Sequence, residues 1–187
     1  MIKGLILAGG QSRRFGSDKA SALYEGEPFL LRSVNVLKCL KFKPVIMTRP
    51  GASYFFSETE TYYDEHPEKG PLGGIYTAMH LFPETDFLTL TCDMPLLNKK
   101  ILKNLINQYQ KNFLATFYRS EGSDCEPFPG IYPFAAFSEI SQRLFAGKLA
   151  MRGLIESLPK KNVIQFQGDK RELMNVNYSA DLEKLVS

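Results

Sequence analysis

The sequence predicts an α/β fold in which a mostly parallel central sheet is flanked by helices. Short apolar runs typical of buried strands alternate with segments whose apolar residues have helical spacing. Strands separated by helical patterns are typical of βαβ units and hence of a parallel sheet. The chain has 187 residues, of which 44% are hydrophobic, so we expect one domain spanning residues 1–187 with a full core.

The predicted strands are apolar or β-branched runs that stop at glycine, proline or polar residues. The first is Ile2–Leu7, which stops just before a pair of glycines. The others are Pro44–Thr48, Thr61–Asp64, Asp86–Cys92, Phe113–Tyr118, Pro127–Tyr132 and Val163–Phe166. Parallel sheets bind ligands at the carboxyl ends of their strands, so the loops that follow the early strands are the first candidates for a site.

The predicted helices have apolar residues three or four positions apart. In Phe29–Leu40 this spacing is set by Leu30, Val34, Leu37 and the pair Cys39-Leu40. The other helical segments are Pro71–Phe82, Lys99–Tyr109, Phe134–Phe145, Met151–Leu158 and a closing helix, Ser179–Val186, with Ser179 as its N-cap.

Charge and cysteine content exclude several classes of protein. The net charge is +3, from 23 basic and 20 acidic residues, which is too mild to indicate a nucleic acid or a membrane as partner. Cys39, Cys92 and Cys125 are odd in number and far apart in sequence, which argues against a disulfide framework. We expect a cytoplasmic protein with reduced thiols, in which Cys39 and Cys92 belong to the core.

A glycine-rich basic loop follows the first strand. Gly9 and Gly10 let the backbone approach a ligand closely, and three cations, Arg13, Arg14 and Lys19, follow within ten residues. The loop lacks the Lys after glycine of a P-loop and the GxGxxG of a dinucleotide fold. It therefore predicts a phosphate-binding site of another kind. The alternative is a strand-to-helix turn with a solvated basic rim.

Two carboxylates stand where predicted strands end. Asp93 follows the apolar run 87–92 and precedes Met94-Pro95, a position suited to Mg²⁺, which proteins bind through one or two carboxylates together with substrate phosphates. The alternative is a turn aspartate that caps the next segment. Asp64 precedes the glycine-rich stretch 70–74, GPLGG, which opens a predicted helix whose N-terminal amides could face an anion or pack tightly on the sheet.

Several of these stretches resemble one family. The segment LAGGQSRRFGSDKA (residues 7–20) resembles LAGG-x-S-x-R-M-G-x-D-K-A of the molybdenum cofactor guanylyltransferases. TCDMPLL (91–97) resembles the CDMP motif of that family, and Asp64 with GPLGG resembles its acidic residue followed by GPLxG. Phe15 replaces the usual Met of the first motif, and Tyr178-Ser179 replace Thr-Pro after Asn175-Val176-Asn177. The resemblance implies a three-layer, Rossmann-like nucleotidyltransferase fold.

The resemblance also implies roles for individual residues. Residues of the first loop, Leu7, Ala8, Gly9 and Gly10, would hold the nucleotide, together with Arg13, Lys19, Thr48, Asp64 and Asp93. Arg14 and Lys19 would neutralise the triphosphate and the leaving pyrophosphate, and Asp93 would ligate Mg²⁺, the expected cofactor. Thr48 stands where several members have Asn, so it can offer only a hydroxyl contact.

The second half of the chain would bind the acceptor. Arg152, in a segment that resembles the G-x-x-x-[MV]-R run of the family, could meet an acceptor phosphate or be a solvated helix residue. Asn175 and Asn177 could contact substrate or metal, or cap the closing helix. The implied partners are GTP and molybdenum-molybdopterin, and the resemblance allows transient contacts with other cofactor-biosynthesis proteins.

These observations predict transfer of GMP from GTP to molybdenum-molybdopterin, with release of pyrophosphate. Two alternatives stay open at this point. One is a related nucleotidyltransferase that uses CTP or a sugar phosphate, because a glycine loop recognises phosphates rather than a base. The other is a catalytically silent protein that binds a nucleotide or the cofactor.

Overall fold

The computed structural model describes residues 1–9, 19–52, 54–120, 122, 125–178 and 180–182. Two of its strands form a small hairpin, and the others form the main sheet. The strands are β1 Ile2–Leu7, β2 Leu23–Tyr24, β3 Glu27–Pro28, β4 Val45–Thr48, β5 Glu60–Tyr63, β6 Asp86–Thr91, β7 Thr116–Arg119, β8 Cys125–Tyr132 and β9 Asn162–Gln165. The α-helices are α1 Phe29–Cys39, α2 Pro71–Leu81, α3 Lys99–Gln108, α4 Phe137–Phe145 and α5 Met151–Ser157.

The predicted mostly parallel sheet is confirmed. Within the described part of the chain, seven strands form one sheet of order β5-β4-β1-β6-β8-β7-β9. β8 runs antiparallel to both of its neighbours, β6 and β7, and the other pairs are parallel. β1 therefore lies inside the sheet between β4 and β6, and its carboxyl end opens between theirs.

Helices cover both faces of this sheet and give three layers. α1 and α3 contact each other on one face, where the Leu37 side chain packs over Gly4 of β1. α2 and α4 pack together on the other face, and α5 packs against α4 and β8. A continuous core of buried apolar residues extends from Leu5 to Leu173 through all three layers.

The sequence explains the principal helices locally. α1 buries Leu30, Val34 and Leu37, three of the residues whose spacing predicted it. α3 begins at a true N-cap, because the Asn98 side-chain oxygen accepts hydrogen bonds from the backbone N–H groups of Lys100 (3.0 Å) and Ile101 (3.2 Å). The predicted helix 134–145 is a short 3₁₀ turn, Phe134–Ala136, followed by α4.

One sequence expectation is wrong, one element was not predicted, and one predicted helix lies partly outside the described residues. Cys39 is exposed rather than in the core, because it lies two positions after Leu37 and so points away from the buried side of α1; Cys92 is buried as expected. The hairpin β2–β3 was not predicted, since two-residue strands show no alternation. Of the predicted closing helix, residues 180–182 are helical, while Ser179 and residues 183–187 lie outside the described residues.

Candidate functional site

The candidate site lies at the carboxyl edge of the sheet, where β1, β4 and β6 end side by side. The first loop is joined to both neighbouring strands by its backbone. The N–H of Ala8 donates to the carbonyl of Met47 at 2.8 Å, and the N–H of Cys92 donates to the carbonyl of Leu7 at 3.2 Å. The segments after Leu7, Thr48 and Thr91 therefore form one edge, as the parallel topology predicted.

Three residues that the sequence singled out meet at this edge. The Lys19 ammonium donates to Asp93 Oδ2 at 2.6 Å and to Asn177 Oδ1 at 3.0 Å. The Lys19 and Asp93 side chains retain 16% and 15% of their exposure, so their ion pair is partly shielded from water but still reachable. The fold thus brings together residues that are 74 and 158 positions apart in sequence.

The second carboxylate oxygen of Asp93 has no partner within the described residues. Asp93 Oδ1 is buried and accepts no hydrogen bond there. A buried, unpartnered carboxylate oxygen is costly unless something else compensates it, and a divalent cation with oxygen-ligand preference does so. The donor chemistry of Asp93 therefore fits a hard divalent cation such as Mg²⁺.

The described residues provide no larger metal cluster. No group of three or more His, Cys, Asp or Glu side chains among them is arranged to hold a metal ion. Magnesium in nucleotide sites is commonly held by one or two carboxylates, with water and substrate phosphates as the other ligands. The arrangement at Asp93 is of that type rather than a closed protein cage.

The segment Asn175-Val176-Asn177 lies directly against Asp93. The Val176 N–H donates to the Asp93 carbonyl at 2.9 Å, and the Val176 side chain is fully buried while both asparagines are exposed. Asp181, not an asparagine, caps the following turn, since its carboxylate accepts from the N–H groups of Asn177 and Tyr178, each at 2.9 Å. Capping of this turn therefore does not depend on the side chain of either asparagine.

A small group of apolar side chains beneath the site holds the segments around Asp93 and Asn177 together. Tyr24, Phe29 and Val176 form a second hydrophobic cluster apart from the main core, with Leu96 and Met174 packed against it. The cluster joins the hairpin, the start of α1, the loop after Asp93 and the segment before Asn177. Sequence reasoning missed it, although a lone valine between two asparagines was a signal of a buried anchor.

Asp64 is buried at the end of β5 and is anchored by the protein itself. Its Oδ1 accepts from the His66 N–H at 2.8 Å and from the Thr77 hydroxyl at 2.9 Å. Burial raises the pKa of its carboxyl group above the ordinary value, and the two hydrogen bonds oppose that shift. The carboxyl group lies beside the first turn of α2, where a negative charge is favourable. The negative group at the start of α2 is therefore the Asp64 carboxyl group of the protein itself.

The glycines of GPLGG are explained by packing. A Cβ on Gly73 would lie 2.3 Å from the His66 carbonyl oxygen, and a Cβ on Gly74 would lie 2.8 Å from a Leu7 methyl group. The sequence left two roles open for this stretch, an anion site at the helix start and tight packing of α2 on the sheet. The described contacts give a direct reason for the tight packing.

Thr48 is completely buried at the end of β4. Its carbonyl accepts from the Asp64 N–H at 2.7 Å, and its hydroxyl has no hydrogen-bond partner within the described residues. A nucleotide would therefore reach this hydroxyl only if the neighbouring segments move. Its predicted contact with the nucleotide stays a prediction.

The remaining predicted residues differ in where they lie. Arg152 is exposed on α5, on the face of the sheet that carries α2 and α4. Gly10, Arg13 and Arg14 lie outside the described residues. Leu7 and Ala8 are buried, and Gly9 is half-buried beside Arg49.

A groove of about 460 Å³ lies on the face of the sheet that carries α1 and α3, beside α3 and near the ends of β7 and β9. Tyr118 and Phe166 form part of its lining and contact each other edge to face at 5.2 Å. Lys100, Lys103 and Gln165 add polar groups. Sequence reasoning did not single out this groove, because its lining comes from three separate segments without a motif.

No helix in the described ranges is long and apolar enough to cross a membrane.

Comparison with known proteins agrees with the geometry. Residues 4–163 match the family model of the MobA-like NTP transferase domain. The chain is 31% identical over 181 residues to a protein of Flavobacterium johnsoniae named "Probable molybdenum cofactor guanylyltransferase", with 96% of this chain and 94% of the relative covered.

Solved structures share the fold. The crystal structure of molybdopterin-guanine dinucleotide biosynthesis protein A from Archaeoglobus fulgidus is similar with a TM-score of 0.80 and 22% identity, covering 98% of this chain and 96% of that one. The 4-diphosphocytidyl-2C-methyl-D-erythritol synthase of Anaerococcus prevotii is similar with a TM-score of 0.73 and 11% identity, covering 99% and 94%. Proteins named for different nucleotides thus share this architecture.

Proposed function

The chain belongs to the MobA-like NTP transferase family, and we propose that within it the protein transfers GMP from GTP to molybdenum-molybdopterin. The observation that carries this proposal is the meeting of Lys19, Asp93 and Asn177 at the carboxyl edge, beside the Leu7–Gly9 loop. The product would be the guanine dinucleotide form of the cofactor, with pyrophosphate as leaving group.

The protein is a nucleotidyltransferase, and its chemistry suits the groups present. The attacking phosphate oxygen of the acceptor is already ionised near pH 7, so no side-chain nucleophile is required. The protein must align the two substrates and neutralise the charge that develops as pyrophosphate departs. Fixed positive groups in a partly shielded site do this effectively, because they need no reorganisation during the reaction.

Members of this family typically use a divalent metal, and we propose Mg²⁺ here. Asp93 would hold it, which gives the buried Oδ1 the partner that the described residues do not provide. When bound, the ion would supply positive charge next to the reacting phosphates. Lys19 would then keep its contact with Asn177 while its ammonium group turns towards the nucleotide phosphates.

The first loop would hold the nucleotide. The backbone of Leu7, Ala8, Gly9 and Gly10 offers close approach to the phosphates, and Arg13, Arg14 and Lys19 would balance their charge, with Arg14 and Lys19 as the principal contributors. Asp64 would contact the nucleotide through Oδ2, since Oδ1 is committed to His66 and Thr77. Thr48 would add its hydroxyl after a local rearrangement.

The acceptor would bind across the second half of the chain. Asn175 and Asn177 are exposed next to Asp93, where an acceptor phosphate must arrive. Arg152 would contact a more distant part of the acceptor from α5. We also propose a cytoplasmic location, because none of the three cysteines forms a disulfide bond, which fits a reducing compartment.

Two other functions remain as alternatives. A CTP-using transferase stays open, because the fold is shared with a cytidyl-named synthase and does not by itself select the base. A silent binding protein would need only the loop and would not need the Lys19–Asp93–Asn177 arrangement.

The experiment is a nucleotide panel on the purified protein. Thermal shift with GTP, CTP, UTP and ATP, each with Mg²⁺, should give the largest stabilisation for GTP, and pyrophosphate should form only when molybdenum-molybdopterin is added. Asp93→Asn keeps the shape of the side chain but removes its charge, so turnover with Mg²⁺-GTP should be lost.

The outcomes separate the alternatives. A larger shift with CTP would replace the guanylyl assignment, and nucleotide binding without pyrophosphate release would indicate the silent protein. Unchanged turnover of Asp93→Asn would reject the metal assignment. Glu60→Gln is the matched control, since it removes the carboxylate of another lysine pair, Lys43–Glu60.

A further inference from the structure

We propose that Arg32 is a positioning residue for this site, because its guanidinium joins the loop that follows Asp93 to the hairpin that follows Lys19. This inference rests on the proposed function in one respect, which is that Lys19 and Asp93 act on the reacting phosphates. Arg32 lies in the first turn of α1 and belongs to none of the motifs of the sequence.

Two backbone carbonyls from different segments accept hydrogen bonds from this one side chain. Arg32 Nε donates to the Pro95 carbonyl at 3.1 Å, and Nη1 donates to the Tyr24 carbonyl at 3.3 Å. Pro95 lies two residues after Asp93, so the first bond fixes the turn that presents the carboxylate. Tyr24 belongs to β2, so the second bond fixes the hairpin.

The hairpin in turn is linked to Lys19. The Lys19 carbonyl accepts from the Ala22 N–H at 3.2 Å, and the Ala22 carbonyl accepts from the Phe29 N–H at 2.9 Å. The chain from Lys19 to α1 is therefore closed by short backbone bonds. A shift of the hairpin would move the base of the Lys19 side chain.

The orientation of the guanidinium is itself restrained. Its Nη1 lies 3.4 Å from Glu27, its Nη2 lies 3.6 Å from Glu25, and its centre lies 5.0 Å from the ring centroid of Tyr24. The side chain is 24% exposed. A planar fork can serve two carbonyls and a carboxylate at fixed angles, whereas a lysine ammonium at the same position reaches fewer of them.

The geometry of the pair depends on this connection. The Lys19–Asp93 contact is 2.6 Å long and joins a single 3₁₀ turn, Lys19–Ser21, to the irregular loop that follows β6. Loops hold reacting groups less accurately than strands or helices do, unless a supporting shell fixes them. Arg32 lies on a helix and supports both the segment that follows Lys19 and the loop that follows Asp93.

The test compares Arg32→Ala and Arg32→Lys with the wild type, using whichever nucleotide the panel selects. Turnover of Arg32→Ala should fall about tenfold or more, because small misplacement of reacting groups has large effects on rate. The dissociation constant for Mn²⁺ in the nucleotide complex, measured by electron paramagnetic resonance, should rise by about the same factor. Nucleotide binding without metal should change by less than roughly threefold.

Two further variants make the role specific. Arg32→Lys keeps the charge but not the fork, so its turnover should stay within roughly threefold of Arg32→Ala. In a double-mutant cycle, Arg32→Ala should cost less turnover in the Lys19→Ala background than in the wild type, because part of its effect passes through that lysine. Arg171→Ala is the matched control, since Arg171 is exposed and pairs locally with Asp169.

Several results would overturn the inference. A lower melting temperature with unchanged turnover and Mn²⁺ affinity, measured where the variant is folded, would make Arg32 a structural tie only. If the losses of turnover caused by Arg32→Ala and Lys19→Ala multiply in the double variant, Arg32 is likewise a structural tie only. Full rescue of turnover by Arg32→Lys would lead to the same conclusion. If the wild type transfers no nucleotide at all, the proposed function fails, and the Mn²⁺ affinities of the variants still decide the role of Arg32.

Discussion

At the scale of single residues, the double contact of Lys19 decides what its charge can do. It is bonded to Asp93 and to Asn177, so its ammonium group is held at the point where both halves of the chain meet. Asn177 carries no charge, so it orients the ammonium group without neutralising it. Lys19 is therefore suited to pass from a carboxylate to an incoming phosphate over a short distance.

We predict that Lys19→Ala lowers turnover by an amount equivalent to on the order of 2–4 kcal/mol in the barrier, as expected for an electrostatic donor in a shielded site. Steady-state kinetics with Mg²⁺-GTP measure this. Lys43→Ala, which removes an exposed lysine paired with Glu60 at 2.8 Å, should leave turnover unchanged. An effect of equal size in both variants would show that loss of a positive charge anywhere on the surface is sufficient, and Lys19 would lose its special role.

At the scale of elements, Gly73 of α2 and Gly9 of the first loop have different reasons to be glycine. Gly73 lies under the His66 carbonyl and has no room for a methyl group. Within the described residues, a Cβ on Gly9 would meet nothing closer than the Arg49 nitrogen at 3.5 Å, an ordinary contact, and its φ is not positive. The fold therefore explains Gly73, whereas the described contacts give no structural reason for Gly9.

We predict opposite outcomes for the two alanine variants. Gly73→Ala should destabilise the protein by ~1–3 kcal/mol through overpacking of α2 on the sheet, measured as a lower melting temperature. Gly9→Ala should melt close to the wild type but bind GTP about tenfold more weakly, because a methyl group stands where the phosphates approach the backbone. A Gly9→Ala protein that binds GTP normally would contradict a phosphate role for this part of the loop.

The elements also show which parts of the fold are visible in a sequence. β1 and α1 were predictable, because a buried strand and a one-sided helix each leave a periodic pattern. The antiparallel direction of β8 was also readable in principle, since only residues 120–124 separate it from β7, too few for a parallel crossover. The hairpin β2–β3 was not, as its turn at Glu25-Gly26 has no common turn signature.

The candidate site divides in the same way. Asp93 and the first loop could be placed together from sequence, because both follow strands of one parallel sheet. The placement of Asn177 at this edge needed the resemblance to the family, since no periodic pattern positions an irregular segment, and its contact with Lys19 was not predicted. Arg32 was invisible, because its hydrogen bonds go to backbone carbonyls, which every sequence has.

At the scale of the whole molecule, the three layers separate two surfaces that could receive the acceptor. Arg152 stands on α5, on the face of α2 and α4, whereas the groove beside α3 lies on the opposite face. Both surfaces belong to the second half of the chain, and the exposed asparagines beside Asp93 lie at the sheet edge between them. An acceptor that reaches Asp93 past these asparagines has either of the two faces available to it.

We predict that it extends towards α5. Arg152→Ala should then raise the KM for molybdenum-molybdopterin about tenfold, the effect of losing one charge-assisted contact of ~1.4 kcal/mol, while kcat and GTP affinity stay unchanged. Lys103→Ala is the matched control, because it removes an exposed cation from the lining of the groove. If Lys103→Ala raises this KM and Arg152→Ala does not, the acceptor lies on the α3 face, and Arg152 is a solvated helix residue. Since both substitutions are at exposed positions, neither should change the melting temperature, so a change in KM reports on acceptor binding rather than on folding.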